Sequence, residues 1–436
     1  MINKQKTILV GLNEINFDYV NYYIKKGILP NFKKTFKLQE PIKTESEKEY
    51  KLLEPWIQWV TIHTGKTFNQ HKVFRLGDIV NYPELSQLFE ELENKGLKIG
   101  AISPFNTANR LKDPAYFVPD PWTKTNSHGN AVIKNLYKAI NHSVNNNTES
   151  KFKLTSLIFL IIGFLAYVPL NRWQHYFKNF FLLSRPGIKA LILDSLLADI
   201  HFSLWKTKKP DFSNLFLNSG AHIQHHYLFN SKAYKGNQKN PDWYCPKGYD
   251  PLAKILVEYD YQIGKLLKYS NLNLIIATGL HQQPHNKTTF YWRLKDHMKF
   301  CNDVGISNIV EVQPRMSRDF LINFDNEESA QNAEKKLNDI IMLKDLKKIF
   351  KTDNRGKSLF VELVYSDNIL DEDSVFSKTF SIKINKFKNQ VSFVAIKNGE
   401  HNGEGYLTSN FPIYKKSKIK LTELKSIIIK AALSKI

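Results

Sequence analysis

Thr7-Ile8-Leu9-Val10-Gly11-Leu12, followed at once by Asn13-Glu14, is the stretch on which the fold turns. It is a short, unbroken apolar run rich in β-branched residues, and it ends on polar groups. A strand covered on both faces reads this way, whereas a half-exposed strand would alternate. Phe17 to Lys26 then has helical spacing and is stopped by Gly27 and Pro30. The pattern recurs: a helix over Pro83–Lys95 ends at Gly96, and Leu97–Ser103 follows as a strand. Phe212–Leu217 and Leu272–Thr278 are further strands, with a helix over Asp250–Tyr269 between them. Strand–helix alternation predicts an α/β fold with a mostly parallel sheet whose sites lie beyond the carboxyl ends of the strands.

The segment 130–209 interrupts this order. It holds Leu154–Leu170, a nearly all-apolar run flanked by Lys151, Lys153 and Arg172 and followed by Trp173, Tyr176, Phe177, Phe180 and Phe181. The run is borderline for a bilayer-spanning helix, which takes ~20 apolar residues. Flanking cations and aromatics predict instead an interfacial or re-entrant segment, the alternative being a helix buried in an inserted subdomain. Residues 1–129 and 210–313 are read as the two parts of the core. Shorter β-rich pieces over 314–390, with a helix at Glu327–Leu337, read as a small subdomain. Residues 391–436 carry a last core strand and a basic tail.

Sixty-two Lys and Arg against 41 Asp and Glu give a net charge of +21. An anionic partner follows, either a phosphorylated or glycan substrate or a membrane surface. No nucleic-acid-binding module accompanies the charge, and neither a P-loop nor a G-x-G-x-x-G fingerprint is present. Two cysteines, Cys245 and Cys301, exclude a disulfide framework. The first residues carry no signal-peptide pattern. The expectation is a cytoplasmic location, with peripheral or monotopic association with the inner membrane.

Histidines gather after the strands. His222, His225 and His226 follow Phe212–Leu217, His281 and His285 follow Leu272–Thr278, and His401 follows a strand at Val391–Ile396. Imidazoles converging at strand ends suit zinc. The order of these pieces resembles the alkaline phosphatase superfamily, in particular its phosphodiesterase/nucleotide pyrophosphatase branch. The blocks are Gly11-Leu12-Asn13-Glu14, Pro55-Trp56-Ile57-Gln58-Trp59-Val60-Thr61-Ile62-His63-Thr64-Gly65 with His71 beyond it, Asn218-Ser219-Gly220-Ala221-His222, Leu280-His281-Gln282, and Gly399-Glu400-His401. The resemblance implies the superfamily's α/β fold and chemistry on a phosphate-containing substrate.

The departures are equally specific. Asn13, Asn218 and Leu280 stand where the family has metal-binding carboxylates, and Pro55 stands at the nucleophile's place. Two close dications need several carboxylates, so a two-metal site is not expected. One divalent ion, most readily zinc, could be held by His222, His281 and His401 with the Asn218 carbonyl; equally, the histidines could serve without metal. Glu14, Glu54 and His63 are candidate general bases, and Glu400 also lies beside a family position. Asn13, Trp59, Arg293, Arg315, Arg318 and Arg355 are candidate substrate contacts, since guanidinium pairs phosphate bidentately. The expected activity is hydrolysis or transfer on a phosphate-containing, sugar-phosphate or lipid-linked glycan substrate, without a covalent phospho-enzyme. The alternatives are a non-catalytic binding protein and a metal-independent glycosyl-type transferase.

Overall fold

The computed structural model describes residues 5–145, 154–315, 318–413 and 416–434. They divide into two compact units, one made of Met1–Pro284 with Gly399–Ile436 and the other of His285–Asn398.

The first unit is built on an eight-stranded sheet. From edge to edge its strands are Lys418–Lys420, Ile42–Glu45, Glu404–Ser409, Leu272–Ala277, Lys6–Leu12, Phe212–Leu217, Ile99–Ile102 and Tyr116–Val118. Lys6–Leu12 pairs in parallel with Phe212–Leu217 on one side and Leu272–Ala277 on the other. Only Glu404–Ser409 runs against its neighbours. The mostly parallel sheet flanked by helices, with smaller antiparallel sheets elsewhere, is the architecture the sequence resemblance implies.

Alternation along each strand explains why these runs are apolar throughout. Ile8, Val10 and Leu12 join one core with Leu215, Leu217, Leu274 and Ile276. Leu9 joins the opposite core with Phe212, Phe216, Ile275 and Ala277. Both faces are thus covered, as parallel strands require. Gly11 is needed for close approach: a Cβ there would sit 2.7 Å from the Trp59 ring and 2.9 Å from that of Phe216.

The helices of the 130–209 segment are Ala131–Asn145, Leu154–Tyr167, Leu170–Phe180 and Ile188–Lys208. They pack on the first of these cores through Ile133, Leu136, Val168, Tyr176 and Leu197. Lys151 and Lys153 lie outside the described residues. Arg172 is turned inward, 4% exposed, and is therefore not a surface cation.

The second unit has a four-stranded antiparallel sheet, ordered Phe350–Asn354, Ser358–Leu363, Asp319–Phe324, Ile309–Pro314, and a separate three-stranded sheet. Its helix Glu327–Asp339 begins at Asn326, whose side chain accepts from the Ser329 amide, and buries Ala330, Ala333 and Leu337.

Candidate metal and acid–base centre

Parallel strands bring the residues after their carboxyl ends to one rim of the sheet. Asn13 and Glu14 follow Leu12, Asn218 follows Leu217, and Gln282 lies shortly after Ala277. The antiparallel strand Glu404–Ser409 starts at that same rim, so His401 arrives there from the other direction.

Glu14 is the centre of the arrangement. Its backbone is in the left-handed region, φ +59°, a conformation unfavourable for a residue with a Cβ. Three hydrogen bonds hold it there. Its amide donates to the Thr278 carbonyl, and its own carbonyl accepts from the Gln282 amide and from Gln224 Nε2. The side chain is buried. Glu14 Oε2 lies 3.0 Å from His225 Nε2 and 3.2 Å from His401 Nε2, and the two ring nitrogens are 3.3 Å apart. Burial pushes the Glu14 carboxyl up, but the His401 and His225 rings outweigh it and hold it well below the ordinary carboxylate range. Oε1 accepts from Asn13 Nδ2 at 3.0 Å, and Gln282 Nε2 donates to Oε2. Among the described residues, Glu14, His225 and His401 are the one group of His, Cys, Asp and Glu side chains close enough together to hold an ion.

Each candidate from the sequence has a definite place. Asn13 is saturated: it donates to Asn218 Oδ1 at 2.7 Å and accepts from Trp59 Nε1 at 2.9 Å. Trp59 is fully buried in the helix Pro55–Thr64, so its indole supports Asn13 from within the core. Glu54 caps that helix, with Oε2 3.7 Å from His401 Nδ1. Pro55 is the helix's first residue. Glu400 accepts from Gln283 Nε2 at 2.9 Å.

His222 and His281 stand outside the trio. His222 is one turn into the helix Ser219–Tyr227, and its ring meets His226 and Tyr227 on the exposed side. His281 Nδ1 bonds the Glu404 carbonyl at 2.7 Å. His225 takes the place in the cluster that the block spacing gives to His222. Asn218 and His225 are i and i+7, two turns along one helix face, and touch the adjacent residues Asn13 and Glu14. That spacing was visible in the sequence, but the helix start at Ser219 was needed to use it.

Arg293, Arg315, Arg318 and Arg355 belong to the second unit. There Arg318 pairs with Glu362 at 2.6 Å and stacks over Tyr291. Arg355 pairs with Asp353 at 2.7 Å over the Phe360 ring.

His63 is a core residue. Its Nδ1 bonds Thr107 Oγ1 at 2.9 Å, and its Nε2 is buried without a partner. Burial, then the Lys425 charge, pulls its pKa down to about 3. The unfolded chain protonates this ring near pH 6.5 and the folded chain does not, so its contribution is present above pH 6.5 and lost as pH falls toward 3. The loss is about 1.4 kcal/mol per pH unit, or roughly 2 kcal/mol by pH 5. Replacing His63 by Leu should therefore flatten the acid side of a urea-midpoint profile between pH 6.5 and 5. An unchanged slope would mean that the ring takes up a proton in the folded protein.

No protein-family model matches the sequence, and no curated protein does. Among solved structures, the chain is similar to phosphonoacetate hydrolase from Sinorhizobium meliloti 1021 in complex with phosphonoacetate, at 11% identity and a TM-score of 0.44, over 98% of this chain and 96% of that one. It is also similar to an inactive form of murine ectonucleotide pyrophosphatase/phosphodiesterase 5 in complex with AMP, at 12% identity and a TM-score of 0.46, over 99% and 95% of the two chains. The human form of that protein gives 11% identity and a TM-score of 0.44, over 98% and 95%.

Proposed function

We propose that this chain is a hydrolase or transferase acting on a phosphate-containing anionic substrate, with one divalent cation, most readily zinc, held by Glu14, His225 and His401. The observation that carries the reading is the triangle of donor atoms, with edges of 3.0, 3.2 and 3.3 Å. Ligands at zinc distances of ~2.0–2.2 Å in a tetrahedron stand about 3.3–3.6 Å from one another. The three atoms come within a few tenths of an ångström of one face of such a site. The donor chemistry agrees: two imidazoles and one carboxylate leave a fourth position open.

A second ion does not fit. Asn13 Oδ1 accepts from Trp59 Nε1 and Asn218 Oδ1 from Asn13 Nδ2, and neither side chain brings a negative charge. A covalent phospho-enzyme does not fit either, because Pro55 has no attacking group. When bound, a divalent cation polarises a phosphoryl oxygen and acidifies a coordinated water. The chain's own residues do the rest. Asn13 and Gln282 fix the Glu14 carboxylate, and Glu14 gathers the two rings. Glu54, half-buried beside His401, is placed to take a proton from an incoming water or acceptor hydroxyl. Sugar-phosphate or lipid-linked glycan substrates would suit the basic chain and remain the finer proposal.

Elemental analysis of the purified protein tests this. One equivalent of divalent metal is expected, lost in both His225→Ala and His401→Ala with the circular dichroism spectrum retained. Turnover across phosphomonoester, phosphodiester and sugar-nucleotide panels should vanish with the ion. Stoichiometric metal in both variants would sink the assignment, and ligand binding without turnover would favour the non-catalytic reading.

A further inference from the structure

The helix Leu154–Tyr167 is built inside out for a water-facing helix. Its exposed large apolar residues are Leu154, Leu157, Ile158, Ile161, Ile162 and Leu165, from 43% to 71% exposed. They fall at i, i+3, i+4, i+7, i+8 and i+11, one continuous helix face. In a soluble protein that stripe is the buried one. Here the inward side carries the small and aromatic residues instead. Ser156 and Gly163 are buried, and a Cβ on Gly163 would sit 2.7 Å from Leu136. Phe164 packs against Trp173 and Tyr176 of the next helix. The helix contains no charged residue.

The following helix and turn continue the surface. Leu170 is 77% exposed, Phe177 57%, Phe180 64% and Phe181 81%. Leu170, Phe177 and Phe181 are again i, i+7 and i+11. An apolar surface of this kind marks a place where something binds. Exposed cations accompany it in sequence: Lys178 lies between Phe177 and Phe180, and Arg185 and Lys189 follow within eight residues of Phe181.

We propose that this surface seats in the interfacial layer of an anionic lipid bilayer, with the Leu154–Tyr167 helix lying along the membrane. Charge selects the occupant. The accompanying cations would meet lipid phosphates on a bilayer, whereas an isologous contact between two copies would bring each set close to its own like. Length sets the depth. Fourteen residues make a helix of about 21 Å, short of the ~30 Å hydrocarbon core. Among the described residues no helix is long and apolar enough to cross a membrane. An exposed apolar stripe beside Lys and Arg is what an in-plane helix uses, inserting its apolar face and pairing its cations with headgroups.

Vesicle sedimentation of the full chain tests this. With phosphatidylcholine vesicles containing a quarter phosphatidylglycerol, most of the protein should pellet at low salt. Pure phosphatidylcholine should retain less. Leu157→Asp/Ile161→Asp should lower partitioning at least tenfold, and Lys178→Glu/Lys189→Glu severalfold, the latter chiefly at low salt. Phe181→Ser, at a position 81% exposed, provides a milder variant should the double Asp change disturb the fold. Wild-type protein that stays in the supernatant, or variants that pellet as wild type does, would overturn the proposal. So would a dimer in light scattering that the Leu157/Ile161 variant dissociates without any effect on vesicles.

Discussion

Arg172→Met should destabilise the first unit by about 3–5 kcal/mol, the cost of removing one partner from a buried ionic network. Arg172 is 4% exposed. Its Nε donates to Asp199 Oδ2 at 3.0 Å, and its Nη2 donates to Glu258. Lys265 reaches the other Asp199 oxygen at 2.7 Å, and the Tyr176 hydroxyl donates to Asp199 at 2.8 Å. A buried guanidinium and the partly exposed Lys265 ammonium thus balance two buried carboxylates. Burial pushes the Asp199 carboxyl up, and the Lys265 and Arg172 charges overcome it and hold it below its ordinary value. Without the guanidinium, one Lys faces two buried carboxylates. Arg172 belongs to the helix Leu170–Phe180, while Asp199, Glu258 and Lys265 lie on the helices Ile188–Lys208 and Pro251–Leu266. The network therefore ties the apolar-surfaced helix to the core. Denaturation in urea measures the cost. The companion variant Arg172→Met/Glu258→Gln, which removes one charge of each sign, should recover part of the loss. A single variant within about 1 kcal/mol of wild type would mean that water already reaches these groups.

Much of the scaffold was legible because a parallel strand must be apolar on both faces. Phe212–Leu217 has the same limits in the sequence reading and in the structure, and the strands Lys6–Leu12 and Leu272–Ala277 lie within a residue of theirs. Where a local device sets the boundary, the apolar pattern misses it. The helix expected from Pro83 begins at Leu88, because Gln87 and Glu90 form a capping box there. Strand ends also exposed the neighbourhood of the site, which is why Glu14, Asn13 and His401 were nameable. Which His of a helix faces the centre was not, since that depends on where the helix starts and how it rotates. His222 and His225 differ by three positions and by whether the ring meets solvent or Glu14. His63 and Trp59 sit in a helix buried on nearly every side, and periodicity cannot distinguish a core imidazole from a working one. The Arg172 network joins residues from three helices and has no sequence signature.

Glu14→Gln separates the two things this centre could be. In the metal reading the carboxylate is a direct ligand and the counter-charge that draws His225 and His401 together. Outer-shell changes cost metal sites ~10–100-fold in affinity, so losing this ligand should cost more than about 100-fold. The shape is preserved, and the left-handed backbone stays pinned by Thr278, Gln224 and Gln282, so folding should survive. Zinc should raise the thermal midpoint of chelator-treated wild type, since a ligand at 100 times its Kd adds about 2.7 kcal/mol, and should leave Glu14→Gln unmoved. Glu54→Gln, whose Oε2 lies 3.7 Å from His401 Nδ1 outside the triangle of donors, should stay within about tenfold of wild-type affinity and lose turnover instead. In the acid–base reading Glu14 is merely the acceptor shared by two N–H groups. Its replacement then costs about 1.5–3 kcal/mol of charge-assisted hydrogen bonding, and zinc stabilises neither protein. The zinc-dependent midpoint, measured on wild type and Glu14→Gln side by side, therefore decides whether the triangle of donors is a coordination face or a hydrogen-bonded cluster, whatever the substrate proves to be.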